Sequence, residues 1–357
     1  MKKVVIVAGD KSADNYCGLL CRHLKERSDQ IELYSFAGAQ SAACSQQIIN
    51  LVDHSVTGLV EILCSLPKIF AALDQTAREI RRIKPDLVIL CDFPDFNLRL
   101  AQKLNHEFPV YYYISPQVWA WRPNRVELIR KYVDKMIVIF QFEEEFYRRH
   151  NIPVLYFGHP LLELIPPVTV EQKNLISFMP GSRKSVLKNH LPIIIKAKDF
   201  LATKLPGWQF QLVRPPNIAE TFYHSFSLNM ELVEHSYAAI AASKLVVATS
   251  GTSGVELAVL GVPYILFYKM NDLSWWLLKR MVKAPYAGMV NILAGRPVVK
   301  ELLQKRAMPI NVAAEALSLL KSEKAYAHLK TGLAEVKDML KPEGAAQKFA
   351  EYILSSI

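Results

Sequence analysis

The fold class is decided by the stretch Leu175-Ile176-Ser177-Phe178-Met179-Pro180-Gly181-Ser182-Arg183. An apolar run typical of a strand ends in a Pro-Gly-Ser turn, and apolar residues at helical spacing then follow over 187–201. A strand, a polar turn and a helix form the repeating step of a parallel sheet with crossover helices. The stretch therefore predicts an α/β protein.

The same step recurs in both halves of the chain. The strand candidates are Lys3–Ala8, Glu32–Phe36, Leu87–Cys91, Val110–Ile114, Lys135–Ile139 and Val154–Phe157 in the first half, and Leu175–Met179, Gln209–Val213, Leu245–Ala248 and Tyr264–Tyr268 in the second. Between the strands, Asn15–Glu26 and Leu66–Ile83 have the spacing of amphipathic helices. We therefore expect two Rossmann-like, doubly wound domains.

A proline-rich stretch, Gly158–Val168, separates the two series of strands. It predicts a linker at about 160–170, a first domain over 1–165 and a second over 166–341. The terminal helix predicted at Ala345–Leu354 lies in the segment 342–357, which we expect to join the first domain. Ligands of such sheets bind at the carboxyl ends of the strands, so we expect the two domains to face one cleft.

Composition excludes several classes of protein. The 357 residues include 43 Lys or Arg and 33 Asp or Glu, a net charge of +10, and 51% are hydrophobic, which excludes a disordered chain. The longest apolar run, Leu257–Tyr268, is too short to span a bilayer, and the N-terminus lacks a signal-peptide pattern, so we expect a cytoplasmic protein. Lys and Arg are spread along the chain without a recognised nucleic-acid module, so no nucleic-acid partner is expected.

The five cysteines are an odd number and form no C-x-x-C pair. This pattern argues against a disulfide framework and against a zinc site. We expect reduced thiols, no metal and no cofactor.

The turn Gly181-Ser182-Arg183 is the first candidate site. Its backbone N–H groups would lie at a helix N-terminus, which favours an anion, and the guanidinium could bind phosphate oxygens. The alternative is an ordinary turn with an arginine in solvent.

A second turn, Ser250-Gly251-Thr252, follows another strand and precedes Glu256. Small residues allow a phosphate to approach the backbone, and the carboxylate could bind the hydroxyls of a ribose. The alternatives are a helix N-cap and a first-turn acid stabilised by the helix dipole. Two such turns in one half of the chain favour a nucleotide-diphosphate site.

Two carboxylates, Asp92 and Asp95, follow the strand Leu87–Cys91. Either could act as a general base toward a hydroxyl, and Asp92 is the stronger candidate. Asp95 is better explained as the N-cap of the next helix. A metal role for the pair lacks a third ligand.

Four other segments are open to two interpretations. The turn Asp10–Asp14 suits acceptor binding or helix capping, and the loop Ser115–Arg122 holds two tryptophans that we expect to be exposed. His159 is more often structural than catalytic. The helix Leu273–Lys283 has the aromatic and basic mixture of a membrane-surface helix, although a packed helix with outward lysines explains it too.

Taken together, these motifs resemble those of the lipid-A-disaccharide synthase family, inverting glycosyltransferases of the GT-B type. The resemblance covers nearly the whole chain. The matching stretches are Asp10–Asp14, Thr57–Glu61, Asp92–Asn97, Ser115–Arg122, Gly158–Pro160, Pro180–Arg183, Ser250–Thr252 with Glu256, and Asn291–Arg296. Trp-Ala-Trp-Arg and Asn-x-Leu-Ala-Gly-Arg are the most specific of them.

The resemblance implies a reaction in which the 6-hydroxyl of 2,3-diacylglucosamine 1-phosphate attacks UDP-2,3-diacylglucosamine. A β-1,6 disaccharide and UDP are formed on the inner face of the cytoplasmic membrane, without a metal. Asp92 matches the family's essential aspartate, and Arg183 matches the arginine that stabilises the leaving diphosphate. Substrate contacts are implied at Ser12, Asp14, Asp95, Asn97, Ser115, Trp119, Trp121, Arg122, Gly181, Ser182, Ser250, Gly251, Thr252, Glu256, Asn291 and Arg296.

The chain departs from the family pattern in two places. The first loop reads Asp10-Lys11-Ser12-Ala13-Asp14 where Glu-x-Ser-Gly-Asp is usual, and Val186 stands where a glutamate is usual. A UDP-N-acetylglucosamine 2-epimerase, a transferase with another lipid acceptor, and a UDP-binding membrane-associated protein without turnover remain alternatives. The sequence also leaves open whether the chain forms a homodimer.

Overall fold

The computed structural model describes residues 1–52, 59–121, 124–282 and 284–357, without the side chains of 59–66, 68, 273, 277 and 278. The chain divides into two compact units. Unit 1 comprises Met1–Leu164 and Leu340–Ile357, and unit 2 comprises Ile165–Met339. No helix in the described part of the chain combines the length and the apolar character needed to cross a membrane.

Unit 1 is built on a parallel sheet of seven strands in the order β3-β2-β1-β4-β5-β6-β7. The strands are β1 Lys2–Ala8, β2 Ile31–Phe36, β3 Gln46–Ile49, β4 Leu87–Cys91, β5 Val110–Tyr113, β6 Lys135–Val138 and β7 Val154–Tyr156. The helices are α1 Lys11–Arg27, α2 Ala39–Ala42, α3 Leu59–Ile83, α4 Pro94–Leu104, α5 Arg125–Tyr132, α6 Gln141–Arg149 and α7 Leu161–Leu164. The central strand β4 is buried at every residue, as expected where helices cover both faces of a sheet.

Unit 2 repeats the design with six parallel strands in the order β10-β9-β8-β11-β12-β13. The strands are β8 Lys173–Met179, β9 Gln209–Arg214, β10 Glu231–Glu234, β11 Ser243–Thr249, β12 Tyr264–Tyr268 and β13 Glu301–Leu303. The helices are α8 Lys184–Lys204, α9 Tyr237–Ala241, α10 Ser253–Leu260, α11 Asp272–Met281, α12 Met289–Ala294, α13 Pro309–Lys321 and α14 Glu323–Asp338. The α/β class predicted from the sequence is therefore confirmed, with two parallel-sheet units.

The last helix, α15 (Ala345–Ser356), packs into unit 1. Its Phe349 is fully buried against the rings of Tyr113 and Phe157. Gly158 has a φ of +104°, and a Cβ there would lie 1.8 Å from the carbonyl oxygen of Pro342. A glycine is thus required at the point where the returning chain touches the end of β7.

Three strands were missed by the sequence analysis, namely β3, β10 and β13. Each has only three or four residues and lies at an edge of its sheet. Polar residues in these strands interrupt the apolar run by which a buried strand is predicted. Some predicted ends were also wrong. For example, Ile114 lies beyond β5 because its φ of +63° turns the chain out of the sheet.

The cysteines with described side chains, Cys17, Cys21, Cys44 and Cys91, are free. Burial raises the pKa of the Cys21 and Cys91 thiols, which keeps both protonated. They belong to the packing of unit 1.

Candidate active site

The loop after β4 has a constrained backbone. Asp92 and Phe93 have φ angles of +45° and +48°, although neither is glycine. Left-handed backbone at a side-chain-bearing residue costs about 1–3 kcal/mol and is concentrated at functional sites. The loop places the half-buried Asp92 at the carboxyl edge of the sheet.

Buried side chains hold this backbone in place. The carbonyl oxygen of Asp92 accepts hydrogen bonds from the hydroxyl of Tyr112 at 2.6 Å and the amide of Asn97 at 2.8 Å. The same amide donates to the carbonyl of Cys91 at 3.1 Å. Tyr112 and Asn97 are fully buried, so in the structure Asn97 positions the loop, and its contact with substrate stays a prediction.

Phe93 explains the glycine at the end of β1. A Cβ on Gly9 would lie 2.2 Å from the Phe93 ring. The turns after β1 and β4 therefore pack directly on each other, because these strands are neighbours in the sheet.

Asp95 does not cap α4, contrary to the interpretation favoured from the sequence. The N-cap residue is Phe93, the helix begins at Pro94, and Asp95 lies within its first turn. Its exposed carboxylate pairs with Arg125, whose guanidinium lies 5.5 Å from the centroid of the Trp121 ring. Asp95 thus links α4 to the tryptophan-bearing loop.

The Asp10–Asp14 turn is held by two different carboxylates. Asp10 caps α1 by accepting from the backbone N–H of Ala13 at 2.9 Å, while Ser12 is half-buried in the first turn. Asp14 is buried and accepts from the N–H groups of Gln40 at 3.0 Å and Ser41 at 3.1 Å and from the Ser41 hydroxyl at 2.7 Å. The Asp14 carboxylate therefore stabilises the start of α2.

The loop after β5 carries Ser115, Trp119 and Trp121. Ser115 is buried, and its hydroxyl lies 2.7 Å from the Tyr147 hydroxyl. Both tryptophans are half-buried, so the expectation that they are exposed was wrong. The Trp119 indole N–H donates to the Glu143 carboxylate at 3.1 Å. This hydrogen bond keeps part of the ring out of contact with solvent. Arg122 lies outside the described residues, as do Thr57 and Gly58 of the matching motifs.

In unit 2 the turn after β8 has the form expected of an anion site. Gly181 has a φ of +106°, and a Cβ there would lie 3.3 Å from the Thr249 methyl group at the end of β11. Arg183 occupies the N-cap position of α8, and Arg183 and Ser182 are both exposed. The turn thus presents a cation and backbone N–H groups beside the loop that follows β11.

His190 is a buried residue that the sequence analysis missed. It lies on α8, with Nδ1 3.0 Å from the carbonyl oxygen of Pro180 and Nε2 3.1 Å from the backbone nitrogen of Lys269. Burial lowers its pKa, so the ring is neutral. A neutral ring donates from Nδ1 and accepts at Nε2, which ties the Gly181 turn to the end of β12. A lone histidine within a helical pattern gave no signal of this role.

The loop after β11 is open at its tip. Gly251 and Thr252 are exposed, and the Ser250 hydroxyl donates to the carbonyl of Ala287 at 2.8 Å. Glu256, in the first turn of α10, lies 3.6 Å from Nε2 of His235, which follows β10. The neighbouring strands therefore bring the predicted diphosphate and ribose residues of unit 2 to one sheet edge.

Asn291 and Arg296 have structural partners in the Asn-x-Leu-Ala-Gly-Arg motif. Asn291 is buried, and its amide donates to the carbonyl of Val299 and to the Glu301 carboxylate, both at 2.8 Å. Glu301 also accepts from the N–H of Ala287 at 2.9 Å, the residue that holds Ser250. Arg296 pairs with Glu335 at the surface. Asn291 is thus linked to the loop that carries Ser250 through the Glu301 carboxylate and the backbone of Ala287.

The contacts of His159 are those of a buried, structural residue. It is buried, its Nδ1 accepts from the N–H of Leu161 at 3.1 Å, and burial lowers its pKa to about 3. A ring that stays neutral at physiological pH fits the interpretation favoured from the sequence.

Comparison with known proteins identifies the family. Residues 4–353 match the family model described as lipid-A-disaccharide synthetase. The lipid-A-disaccharide synthase of Solibacter usitatus is 37% identical over 359 residues, which cover 95% of this chain and 93% of the relative. That of Koribacter versatilis is 36% identical over 390 residues, which cover 99% of this chain and 98% of the relative.

Solved structures share the fold at much lower identity. The UDP-GlcNAc 2-epimerase of Neisseria meningitidis bound to UDP-GlcNAc has a TM-score of 0.66 and 13% identity, with 100% of both chains covered. MurG of Acinetobacter baumannii has a TM-score of 0.59 and 13% identity, with 99% of this chain and 100% of that chain covered. These likenesses concern the fold, whereas the match over 4–353 shows that the chain belongs to the lipid-A-disaccharide synthase family of glycosyltransferases.

Proposed function

We propose that this chain transfers 2,3-diacylglucosamine from UDP-2,3-diacylglucosamine to the 6-hydroxyl of 2,3-diacylglucosamine 1-phosphate. The products are the β-1,6-linked disaccharide 1-phosphate and UDP, with inversion at the anomeric carbon. The observation that carries the proposal is the family match over residues 4–353, which includes every motif assigned a role below.

Asp92 is the proposed general base. It would remove the proton of the attacking 6-hydroxyl as the new glycosidic bond forms. The loop supports this role because Tyr112 and Asn97 hold the Asp92 carbonyl at 2.6 and 2.8 Å, which fixes the backbone that carries the carboxylate. A fixed base loses little orientational freedom when the acceptor binds.

Arg183 and the two unit 2 turns are the proposed diphosphate site. Negative charge builds up on the UDP leaving group as the anomeric bond breaks, and a cation with backbone N–H groups stabilises that charge. Gly181, Ser182, Ser250, Gly251 and Thr252 would allow the close backbone approach, and Glu256 would bind the ribose hydroxyls. We expect these groups to suffice without a metal or another cofactor.

One assay tests the reaction directly. Purified protein is incubated with UDP-2,3-diacylglucosamine and 2,3-diacylglucosamine 1-phosphate, with and without a chelator, and the products are separated by mass. We expect the disaccharide and UDP in equal amounts in both samples. Conversion of a UDP-sugar in the absence of acceptor would instead indicate an epimerase, and loss of turnover with the chelator would contradict the metal-free mechanism.

Helix α11 is the proposed contact with the inner face of the cytoplasmic membrane. Trp276 is 49% exposed, and the guanidinium of Arg280 lies 3.6 Å from the centroid of its ring. Trp275 is half-buried, and Lys279 is exposed. Aromatic and basic residues on one exposed helix suit a bilayer with anionic headgroups. Lys283, the last residue of the segment predicted from the sequence, lies outside the described residues.

The membrane proposal is tested by sedimentation with vesicles containing anionic phospholipid. We expect Trp276→Ser to weaken vesicle binding about ten- to a hundred-fold while transfer to a short-chain acceptor is kept, since full burial of a large apolar side chain contributes about 1.5–3 kcal/mol. Phe200→Ser is the matched control, because Phe200 is also exposed, at 45%, but lies on α8. Equal binding by Trp276→Ser and wild type would contradict a membrane role for α11.

A further inference from the structure

Glu143 is a buried carboxylate with partners on the tryptophan-bearing loop of unit 1. It lies in the first turn of α6 and is only 1% exposed. It accepts from the indole N–H of Trp119 at 3.1 Å and from the backbone N–H of Phe140 at 3.2 Å. Two donors therefore converge on one carboxylate that is almost completely buried.

The segment 115–121 depends on these contacts for its shape. It lies between β5 and α5 and has no strand or helix of its own. Its internal backbone bonds include only short turns, such as Trp121 N–H to the Gln117 carbonyl at 3.2 Å. Side chains fix the rest: Trp119 meets the Phe142 ring edge-on at 4.9 Å, and the Ser115 and Tyr147 hydroxyls lie 2.7 Å apart. Helix α6 is thus the support on which this segment rests.

We propose that Glu143 is a positioning residue which holds the 115–121 segment in its binding conformation through the Trp119 indole. The proposal rests on the proposed function, in which Asp92 of the same unit is the base toward the acceptor, and it takes the substrate contacts implied at Ser115 and Trp119 to be contacts with that acceptor. Glu143 itself is too deeply buried to touch a substrate, so it acts only through the residues it holds.

The charge of Glu143 gives the proposal a measurable signature. Burial raises its pKa to about 7, against the hydrogen bonds from Trp119 and Phe140, which favour the ionised form. The ionised carboxylate accepts from both donors, whereas the protonated one loses acceptor capacity. The hydrogen bond from the Trp119 indole to Glu143 is therefore stronger above neutral pH than below it.

The other titratable groups around Glu143 keep one charge state across this range. Tyr147 lies on the same helix and Tyr156 on β7, and burial raises the pKa of both hydroxyls well above neutrality. His159, whose ring packs on Phe140, stays neutral because burial lowers its pKa to about 3. A change in the segment near neutral pH is thus assigned to Glu143.

The first test compares Glu143→Gln with Glu145→Gln in the full chain. Glu145 lies on the same helix with its side chain 70% exposed, so it controls for the loss of one charge. We expect Glu143→Gln to raise the KM for the acceptor about tenfold, as for loss of a hydrogen bond to a charged group, with kcat and the donor KM little changed. Equal acceptor KM values for the two variants would overturn the proposal.

The second test is the pH profile of the acceptor KM. In the wild type we expect the acceptor KM to fall between about pH 6 and about pH 8 as Glu143 ionises, and in Glu143→Gln to be flat. Trp119→Phe, which removes only the indole donor, should also raise the acceptor KM and flatten the profile. In the Trp119→Phe background, Glu143→Gln should add little; an undiminished effect there would show that Glu143 does not act through Trp119.

A third test needs no turnover and stays available if Glu143→Gln folds poorly. The fluorescence of Trp119, taken as the difference between wild type and Trp119→Phe, should titrate with a midpoint of about 7. Trp119 fluorescence that is flat across neutral pH would overturn the proposal. A chain that gives this titration but forms no disaccharide would instead contradict the proposed function.

Discussion

The two sheet edges position their functional groups by opposite means. In unit 1, Asp92 and Phe93 take positive φ angles of 45° and 48° with side chains present, and buried Tyr112 and Asn97 hold the strained backbone. In unit 2, the turns use Gly181 and Gly251, with φ angles of 106° and 153°. The comparison shows that the loop proposed to aim one carboxylate is held by buried side chains, whereas the loops proposed to offer N–H groups to an anion have small residues at their tips.

The largest effect is expected from Asp92→Asn, which keeps the shape of the side chain and removes the base. We expect kcat to fall about a hundred- to ten-thousand-fold, the usual contribution of a positioned general base, with UDP affinity nearly unchanged. Transfer assays and UDP titration measure the two quantities. Asp95→Asn, in the first turn of the following helix α4, is the control, and an equal fall in both variants would refute the distinction between the two aspartates.

A smaller effect is expected from Arg183→Ala in unit 2. Loss of a charge-assisted hydrogen bond of about 1.5–3 kcal/mol predicts a fall in kcat/KM for the donor of about ten- to a hundred-fold. Lys184→Ala removes the exposed cation next in the chain and serves as the control. An effect confined to the acceptor KM would contradict the diphosphate role.

The two glycines of unit 2 should differ from each other. A Cβ on Gly181 would lie 3.1 Å from Val186 and 3.3 Å from Thr249, whereas one on Gly251 would meet nothing within 4 Å. Since both φ angles disfavour alanine, Gly251→Ala should cost about 1 kcal/mol and Gly181→Ala about 2 kcal/mol. Thermal unfolding of the two variants measures this, and equal losses would show that crowding at Gly181 is unimportant.

The smallest effect is expected from pH acting on His190. The pKa of His190 is lower in the folded protein than in the unfolded chain, because burial disfavours the charged ring. The folding stability contributed by the neutral ring is therefore present above about pH 6.5 and is lost as the pH falls toward the folded pKa. His190→Leu loses two hydrogen bonds at neutral pH but cannot be protonated. The difference in Tm between wild type and His190→Leu should therefore shrink on acidification. His224→Leu, at an exposed site, serves as the control.

The sequence predicted the class of fold and the strands that bear the site because buried parallel strands have a strong apolar signal. It missed β3, β10 and β13 because short edge strands lack that signal. The motifs predicted where the candidate residues lie but not their partners. Asn97 and Asn291 lie buried beneath the loops they hold, and nothing in their spacing distinguishes support from substrate contact.

Glu143 and His190 were missed for a related physical reason. Both are polar residues within helical patterns, where a charged or imidazole side chain is normally read as solvent-facing. Only the fold shows that two donors converge on Glu143 and that His190 joins the Gly181 turn to the end of β12. Roles that depend on long-range proximity cannot be derived from local spacing.

The return of helix α15 to unit 1 bears on how the protein is made. During synthesis, strands β1–β7 leave the ribosome long before residues 340–357 exist. The rings of Tyr113 and Phe157 therefore lack their contact with Phe349 until the end of translation. Unit 2 has no such dependence, because Ile165–Met339 is one continuous segment. The half of the molecule that is translated first therefore cannot complete its packing until the last residues of the chain have been made.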